Sequence, residues 1–382
     1  MQANTTSPRP RVSDVASWMV AITGLVLLVL LFLSFVLETR TPSGSSATTS
    51  NTSGGSIAFF EFGLTADTLW LASTADPSNR EALFTAPHAA EFGVVPSVSA
   101  NGNAIAYTAL PTNTAAPAPD APAALWYAPL SGGNPRHIAS DVDLLVAPVW
   151  SPTGDHVVFR RSDATSYALL ITPTSGGDDQ RILVMTASDY ALFPVGFTPD
   201  GETFYHVTVS NEGTRLFSVD VASGELTPVS ELYDGLTRDW TLSPDGTELA
   251  FLGLAYGPQA ITSRAYVMDL ASAEIEPVTD ARVMAFSPIW DQEGALVVGT
   301  LTPTGESGFI KVEDGQASQV LGAGSGFDVP LAYLPGGAYL VQAFDGESLK
   351  APGHVSLTLI DSNGERHVLS RGEVTFAGWS AR

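Results

Sequence analysis

The sequence predicts an all-β fold, a seven-bladed β-propeller with a composite closing blade, preceded by one N-terminal transmembrane helix. Three observations carry this expectation. An apolar strand ending in a large residue, followed by a Ser-Pro-x-Gly type of turn, recurs along the chain at a spacing in the mid-forties. Each interval holds four strand signals separated by turn residues. Ahead of the first copy stands an uncharged run from Trp18 to Leu37.

The clearest copy is Pro148-Val149-Trp150-Ser151-Pro152-Thr153-Gly154, followed by the apolar run Val157-Val158-Phe159. Taking the residue after the last apolar strand position as the register gives Ser99, Ser151, Thr198, Ser243, Asp291, Leu334 and Ser380. The steps between them are 52, 47, 45, 48, 43 and 46 residues. Short strands at such a period mark the blades of a propeller. The preceding position holds Val98, Trp150, Phe197, Leu242, Trp290, Tyr333 and Trp379. Large rings there are expected to pack between neighbouring blades, where aromatic burial contributes most.

In the second unit the four strand signals are Val146–Trp150, Val157–Arg160, Tyr167–Ile171 and Arg181–Met185. Turns rich in Gly and Ser separate them, supplying positive φ at low cost. The last copy, at Ser380, opens a seventh unit with one strand. The N-terminal stretch supplies what that unit lacks: Ile57–Phe60 matches a second strand, Leu69–Ala72 a third and Glu81–Phe84 a fourth. A composite blade built from both ends removes the open sheet edge.

The repeat resembles that of the WD40-like PD40 family, the repeat of TolB-type propellers, whose core reads roughly Trp-Ser-Pro-Asp-Gly followed by Ile-Ala-Phe. The nearest copies here are Ser243-Pro244-Asp245-Gly246 with Leu249-Ala250-Phe251, and Trp150 to Gly154 with Val157 to Phe159. The resemblance covers residues 56–382. It implies the propeller fold and no single activity, because the repeat serves many unrelated functions. TolB-type proteins have six blades and an additional α/β domain. The present count is one blade more, so their role is not carried over.

The run Trp18–Leu37 spans roughly 30 Å as a helix, the hydrocarbon thickness of a bilayer. It ends Ser34-Phe35-Val36-Leu37-Glu38, a poor cleavage site, so an uncleaved anchor is expected rather than a signal peptide. Arg9 and Arg11 precede the span, while Glu38 and Arg40 after it cancel. The positive-inside bias therefore puts the N-terminus in the cytoplasm and the body outside. The expected division is a cytoplasmic tail over 1–14, the anchor over 15–37, a Ser/Thr/Gly-rich tether over 38–55 and the propeller over 56–382. The setting is a single-pass protein of a bacterial envelope.

Formal net charge is -23. That argues against nucleic acid and against anionic headgroups, both of which call for a basic patch. There is no cysteine, hence no disulfide, thiolate metal site or cysteine nucleophile. No Gly-x-Ser-x-Gly elbow, His-Glu-x-x-His or Asp-x-Asp-x-Asp-Gly loop occurs. The six histidines, His88, His137, His156, His206, His354 and His367, show no metal-ligand spacing. No catalytic residue, metal or cofactor is therefore assigned.

One constellation is left. In a propeller the connections from the fourth strand to the next first strand share one face. Here they carry Glu91, Asp141, Asp143, Asp189, Asp234, Asp280, Asp328 and Glu373, an acid for every blade. The second-to-third strand loops reach the same face, and three are long: Leu110–Ala123, Leu254–Ser263 and Phe344–Gly353. Long loops on a rigid scaffold are where binding usually sits. The expected function is non-catalytic binding of a protein or ligand, the partner being another envelope or extracellular protein. Two alternatives stand beside it: an envelope glycan-active lyase or hydrolase with its site at the channel mouth, and a structural or assembly component of the envelope. For the anchor, the expected outcome is full-length protein in the membrane fraction. N-terminal sequencing that recovers a soluble form starting near residue 40 would contradict it.

Overall fold

The computed structural model describes residues 55–382 apart from 178, 257–260, 292, 314–315, 323–326, 335, 347–351 and 381–382. The expected tail and span, and the tether up to residue 54, lie outside the described residues. Among the described residues there is no helix.

Strands β1 (Ser56–Glu61), β2 (Ala66–Ser73) and β3 (Arg80–Pro87) start the closing blade. Blade 1 holds β4 (Val95–Val98), β5 (Ala104–Ala109), β6 (Pro122–Pro129) and β7 (Arg136–Asp143). Blade 2 holds β8 (Val149–Trp150), β9 (His156–Ser162), β10 (Ser166–Pro173) and β11 (Arg181–Ala187). Blade 3 holds β12 (Ala191–Phe197), β13 (Thr203–Ser210), β14 (Gly213–Asp220) and β15 (Leu226–Tyr233). Blade 4 holds β16 (Leu236–Leu242), β17 (Glu248–Tyr256), β18 (Ile261–Asp269) and β19 (Ile275–Pro277). Blade 5 holds β20 (Met284–Trp290), β21 (Leu296–Leu301), β22 (Ser307–Glu313) and β23 (Gln316–Gly322). Blade 6 holds β24 (Phe327–Leu334), β25 (Ala338–Phe344), β26 (Val355–Ile360) and β27 (Arg366–Arg371). The last strand, β28 (Val374–Ser380), pairs with β1, giving the closing blade the order β28-β1-β2-β3. Each blade is a four-stranded antiparallel sheet, and the composite closure is as expected.

Two expected boundaries move. The first strand of blade 2 is only Val149–Trp150, because residues 144–146 form a turn and bend. The loop expected at Leu254–Ser263 is largely hairpin: the ladder continues from Leu254↔Ser263 to Tyr256↔Ile261.

The recurring turn has a physical cause. Its Ser or Thr hydroxyl accepts the backbone N–H five residues on: Ala104 to Ser99, His156 to Ser151, Thr203 to Thr198 and Glu248 to Ser243. The hydroxyl then donates to the Asx two positions on, as Ser99 to Asn101, Thr198 to Asp200 and Ser243 to Asp245. In blade 2 the acceptor is Asp155, four positions on. In blade 5 Asp291 takes the hydroxyl's place, accepting the Ala295 amide at 2.7 Å, and Lys311 Nζ lies 3.0 Å from its other oxygen. Glycine closes the turn with positive φ, 76° at Gly154 and 74° at Gly246. A Cβ on Gly246 would fall 2.6 Å from Pro199 in the preceding blade's turn, so neighbouring turns pack directly on each other.

The core lies between the blades. Seven apolar clusters form, each from one blade and the next, including closing blade with blade 1 and blade 6 with closing blade. The ring is thereby closed. The aromatic register positions bridge it as expected: Trp150 donates its indole N–H to the Ser97 carbonyl at 3.1 Å, and Trp290 to the Thr241 carbonyl at 3.1 Å, each in the preceding blade. Trp379 is only half-buried; Phe376 and Ala377 are the buried apolar side chains of β28. Accordingly Phe376→Ala is expected to cost about 3–5 kcal/mol. Deleting residues 373–382 is expected to cost more. Chemical denaturation measures both, and an unchanged midpoint for the deletion would refute the closure.

Candidate functional site

Antiparallel order places the fourth-to-first crossings and the second-to-third loops at one face. The structure finds the expected acids there in unequal roles. Glu91, Asp189, Asp234, Asp280 and Glu373 lie in the crossings and are exposed, while Asp141 is exposed within β7. Glu91 and Asp141 have left-handed backbone, φ 71° and 57°.

Three of the acids are engaged. Asp143, at the end of β7 rather than in a loop, forms an ion pair with Arg160 and accepts the Ser162 hydroxyl at 2.5 Å. Arg160 also donates to the Leu192 carbonyl at 3.0 Å and lies over Tyr167 and Phe193. One guanidinium thus joins blades 1, 2 and 3. Asp328 belongs to β24 and is buried, because Arg366 grips both its oxygens at 2.7 and 2.8 Å. Burial of a carboxylate demands such a counter-charge. Asp280 is paired with Arg282 at 3.0 Å. The Arg282 bond holds its carboxyl down at about 2.

The same face exposes large apolar side chains that sequence reasoning missed. Leu64 (65% exposed) lies beside Glu91, whose amide bonds to the Leu64 carbonyl. Tyr190 (40%) follows Asp189, and Leu236 (38%) follows Asp234 by two residues. Apolar periodicity cannot mark them, since each is a single residue in a turn or at a strand end.

The opposite face carries a cleft of about 680 Å³ between blades 2 and 3, also not foreseen. Asp155, Asp179, Asp200, Glu202, Asp220 and Arg181 line it. Several of these acids are turn-formers. Asp155 is held at about 2, first by the Thr153 hydroxyl and then by His156 and Ser151. Asp220 is lowered by the Ser223 amide and hydroxyl.

The histidines are dispersed over five blades. His206 is buried, stacked on Phe217 and pushed down to about 4 by burial. His88 is buried against Asp67. Asp361, Glu365 and His367 hold ligand atoms within 4.8 Å of one another, the one such group of three among the described residues. It sits on a single hairpin of blade 6, and Asp361 already accepts the Asn363 and Glu365 amides. No three of the acids on the crossing face come that close.

No protein-family model matches the chain, and no curated protein does. Solved structures do. Oligogalacturonate lyase from Vibrio parahaemolyticus matches with a TM-score of 0.58 at 9% identity, over 84% of this chain and 87% of that one. A prolyl endopeptidase structure matches with a TM-score of 0.58 at 12% identity, over 95% of this chain and 55% of that one. TolB from Acinetobacter baumannii aligns with a TM-score of 0.49 at 19% identity, over 70% of this chain and 64% of that one. The chain thus spans somewhat more than half of these last two proteins. At such identities the likeness is one of fold. The chain is a seven-bladed β-propeller, and its repeat is similar to the PD40 repeat of TolB-type propellers.

The unequal roles of the acids give a stability contrast. Arg160→Ala leaves Asp143 largely enclosed without a counter-charge and is expected to cost on the order of 3 kcal/mol. Asp189→Asn and Asp234→Asn are expected to stay within about 0.5 kcal/mol of wild type. Urea denaturation of the three variants checks both.

Proposed function

We propose that the chain is a membrane-tethered, extracytoplasmic propeller that binds a basic protein partner on its crossing face and is not an enzyme. One observation carries this reading: exposed acids and exposed large apolar side chains coincide there, as Glu91 with Leu64, Asp189 with Tyr190 and Asp234 with Leu236. Apolar contact supplies affinity and charge supplies steering and selectivity. The tether rests on the uncharged run Trp18–Leu37. The contrary reading, a glycan-active enzyme, draws on the oligogalacturonate lyase that the fold matches over most of both chains.

The test begins with cross-linked capture of the partner by full-length protein in its native membrane. Association rates are then measured against salt. A basic partner steered by exposed acids associates more slowly as salt screens the field. Replacing Glu91 and Glu373 by Gln, and Asp141, Asp189 and Asp234 by Asn, is expected to remove most of that salt dependence and leave the melting temperature unchanged. An unchanged rate with unchanged salt dependence counts against the reading. Turnover of oligogalacturonate or envelope glycan by the purified protein would replace it with the enzymatic one.

A further inference from the structure

The segment from Pro87 to Val95 carries the chain from the closing blade into blade 1 and holds Glu91 at the crossing face. Beneath it His88 is enclosed, at 1% exposure. Its Nδ1 lies 2.8 Å from the Ala89 carbonyl oxygen and its Nε2 lies 2.9 Å from Asp67 Oδ1. A neutral imidazole has one N–H and one lone pair. With an oxygen acceptor opposite each nitrogen, only the imidazolium, with two N–H groups, satisfies both contacts.

Asp67, on β2, is also enclosed. Besides His88 it accepts the Gly63 amide at 3.0 Å and the Val94 amide at 2.8 Å. One carboxylate thereby ties together the loop after β1, the histidine and the far end of the 88–94 segment. Phe62 stacks on the ring, centroids 6.0 Å apart. The backbone adds His88 N–H to the Thr65 carbonyl at 3.0 Å and Ala89 N–H to the Leu110 carbonyl at 3.0 Å.

We propose that the buried His88–Asp67 ion pair is a proton-dependent latch that fastens the 88–94 crossing to the closing blade. This goes beyond the binding reading and does not rest on it. The groups facing the ring are Asp67 from β2, Phe62 from the loop after β1 and the Ala89 carbonyl from its own segment. Glu91, the other charged residue of that segment, is exposed. Loss of the proton would set a nitrogen lone pair against an oxygen less than 3 Å away and leave Asp67 buried without its counter-charge. Burial alone pushes His88 down. The Asp67 hydrogen bond, the Ala89 carbonyl and the Asp67 charge outweigh it, so the group titrates above its ordinary value. The latch is therefore complete below a pH of about 6.5, and it is lost as pH rises through the higher folded value.

The test uses the full-length chain with isotope-labelled histidine. Ring nitrogen signals are followed by NMR from about pH 6 to pH 10, alongside hydrogen exchange of residues 88–94 corrected for intrinsic rate. The His88 midpoint is expected above that of a free imidazole, with Val94 amide protection falling at least tenfold as His88 titrates. Asp67→Asn is expected to move the His88 midpoint down by roughly one pH unit or more and to abolish the pH dependence of Val94 protection. A His88 midpoint at or below the free-imidazole value, or Val94 protection unchanged through its titration, overturns the latch. If the variant does not fold, the two wild-type readouts decide alone.

Discussion

The structure depends on one constraint: a sheet that is apolar on both faces has to be covered on both. Ile57 and Phe59 of β1 face blade 6, while Ala58 and Phe60 of the same strand face blade 1. The same division recurs in blade 2, where Val157 and Phe159 face blade 1 and Val158 faces blade 3. No blade can be stable with one neighbour, so the row of sheets has to return on itself. The clusters between blade 6 and the closing blade and between the closing blade and blade 1 join a core that is otherwise linear in sequence. Their dependence on β28 makes the last strand a structural closure.

Polar devices sit where that apolar ring meets water. On one face Ser/Thr–Asx turns pin the first-to-second strand connections of blades 1 to 4, and the glycine of one turn lies against the preceding one. Several acids there, Asp200, Asp220, Asp245, Asp269 and Asp361 among them, accept backbone amides of their own turns, which accounts for part of a strongly acidic composition without invoking a ligand. On the other face charge is divided. Arg160 with Asp143 and His88 with Asp67 are enclosed pairs, and the partly exposed Arg366 covers the buried Asp328; all three join strands or blades. Glu91, Asp141, Asp189, Asp234 and Glu373 face water. The first group holds the scaffold, and the second is available to a partner.

The sequence by itself determined the repeat, its seven copies and the composite blade. The physical reason is local: the turns of blades 1 to 4 are specified by a hydroxyl, an Asx and a glycine within a few residues, and strand alternation is read within six. The ring count follows from spacing alone. It likewise placed acids in or beside the crossings, because the crossing is fixed by the order of strands, although Asp141, Asp143 and Asp328 prove to lie in strands. What only the tertiary structure decided is which of those acids are free. Asp143 and Asp189 read alike in sequence, but Arg160, seventeen residues beyond Asp143, reaches back to take one of them. Asp328 is buried by an arginine thirty-eight residues away. The exposure of Leu64, Tyr190 and Leu236, the cleft between blades 2 and 3, and the doubly bonded ring of His88 also depend on distances across blades. No periodicity along the chain encodes those distances.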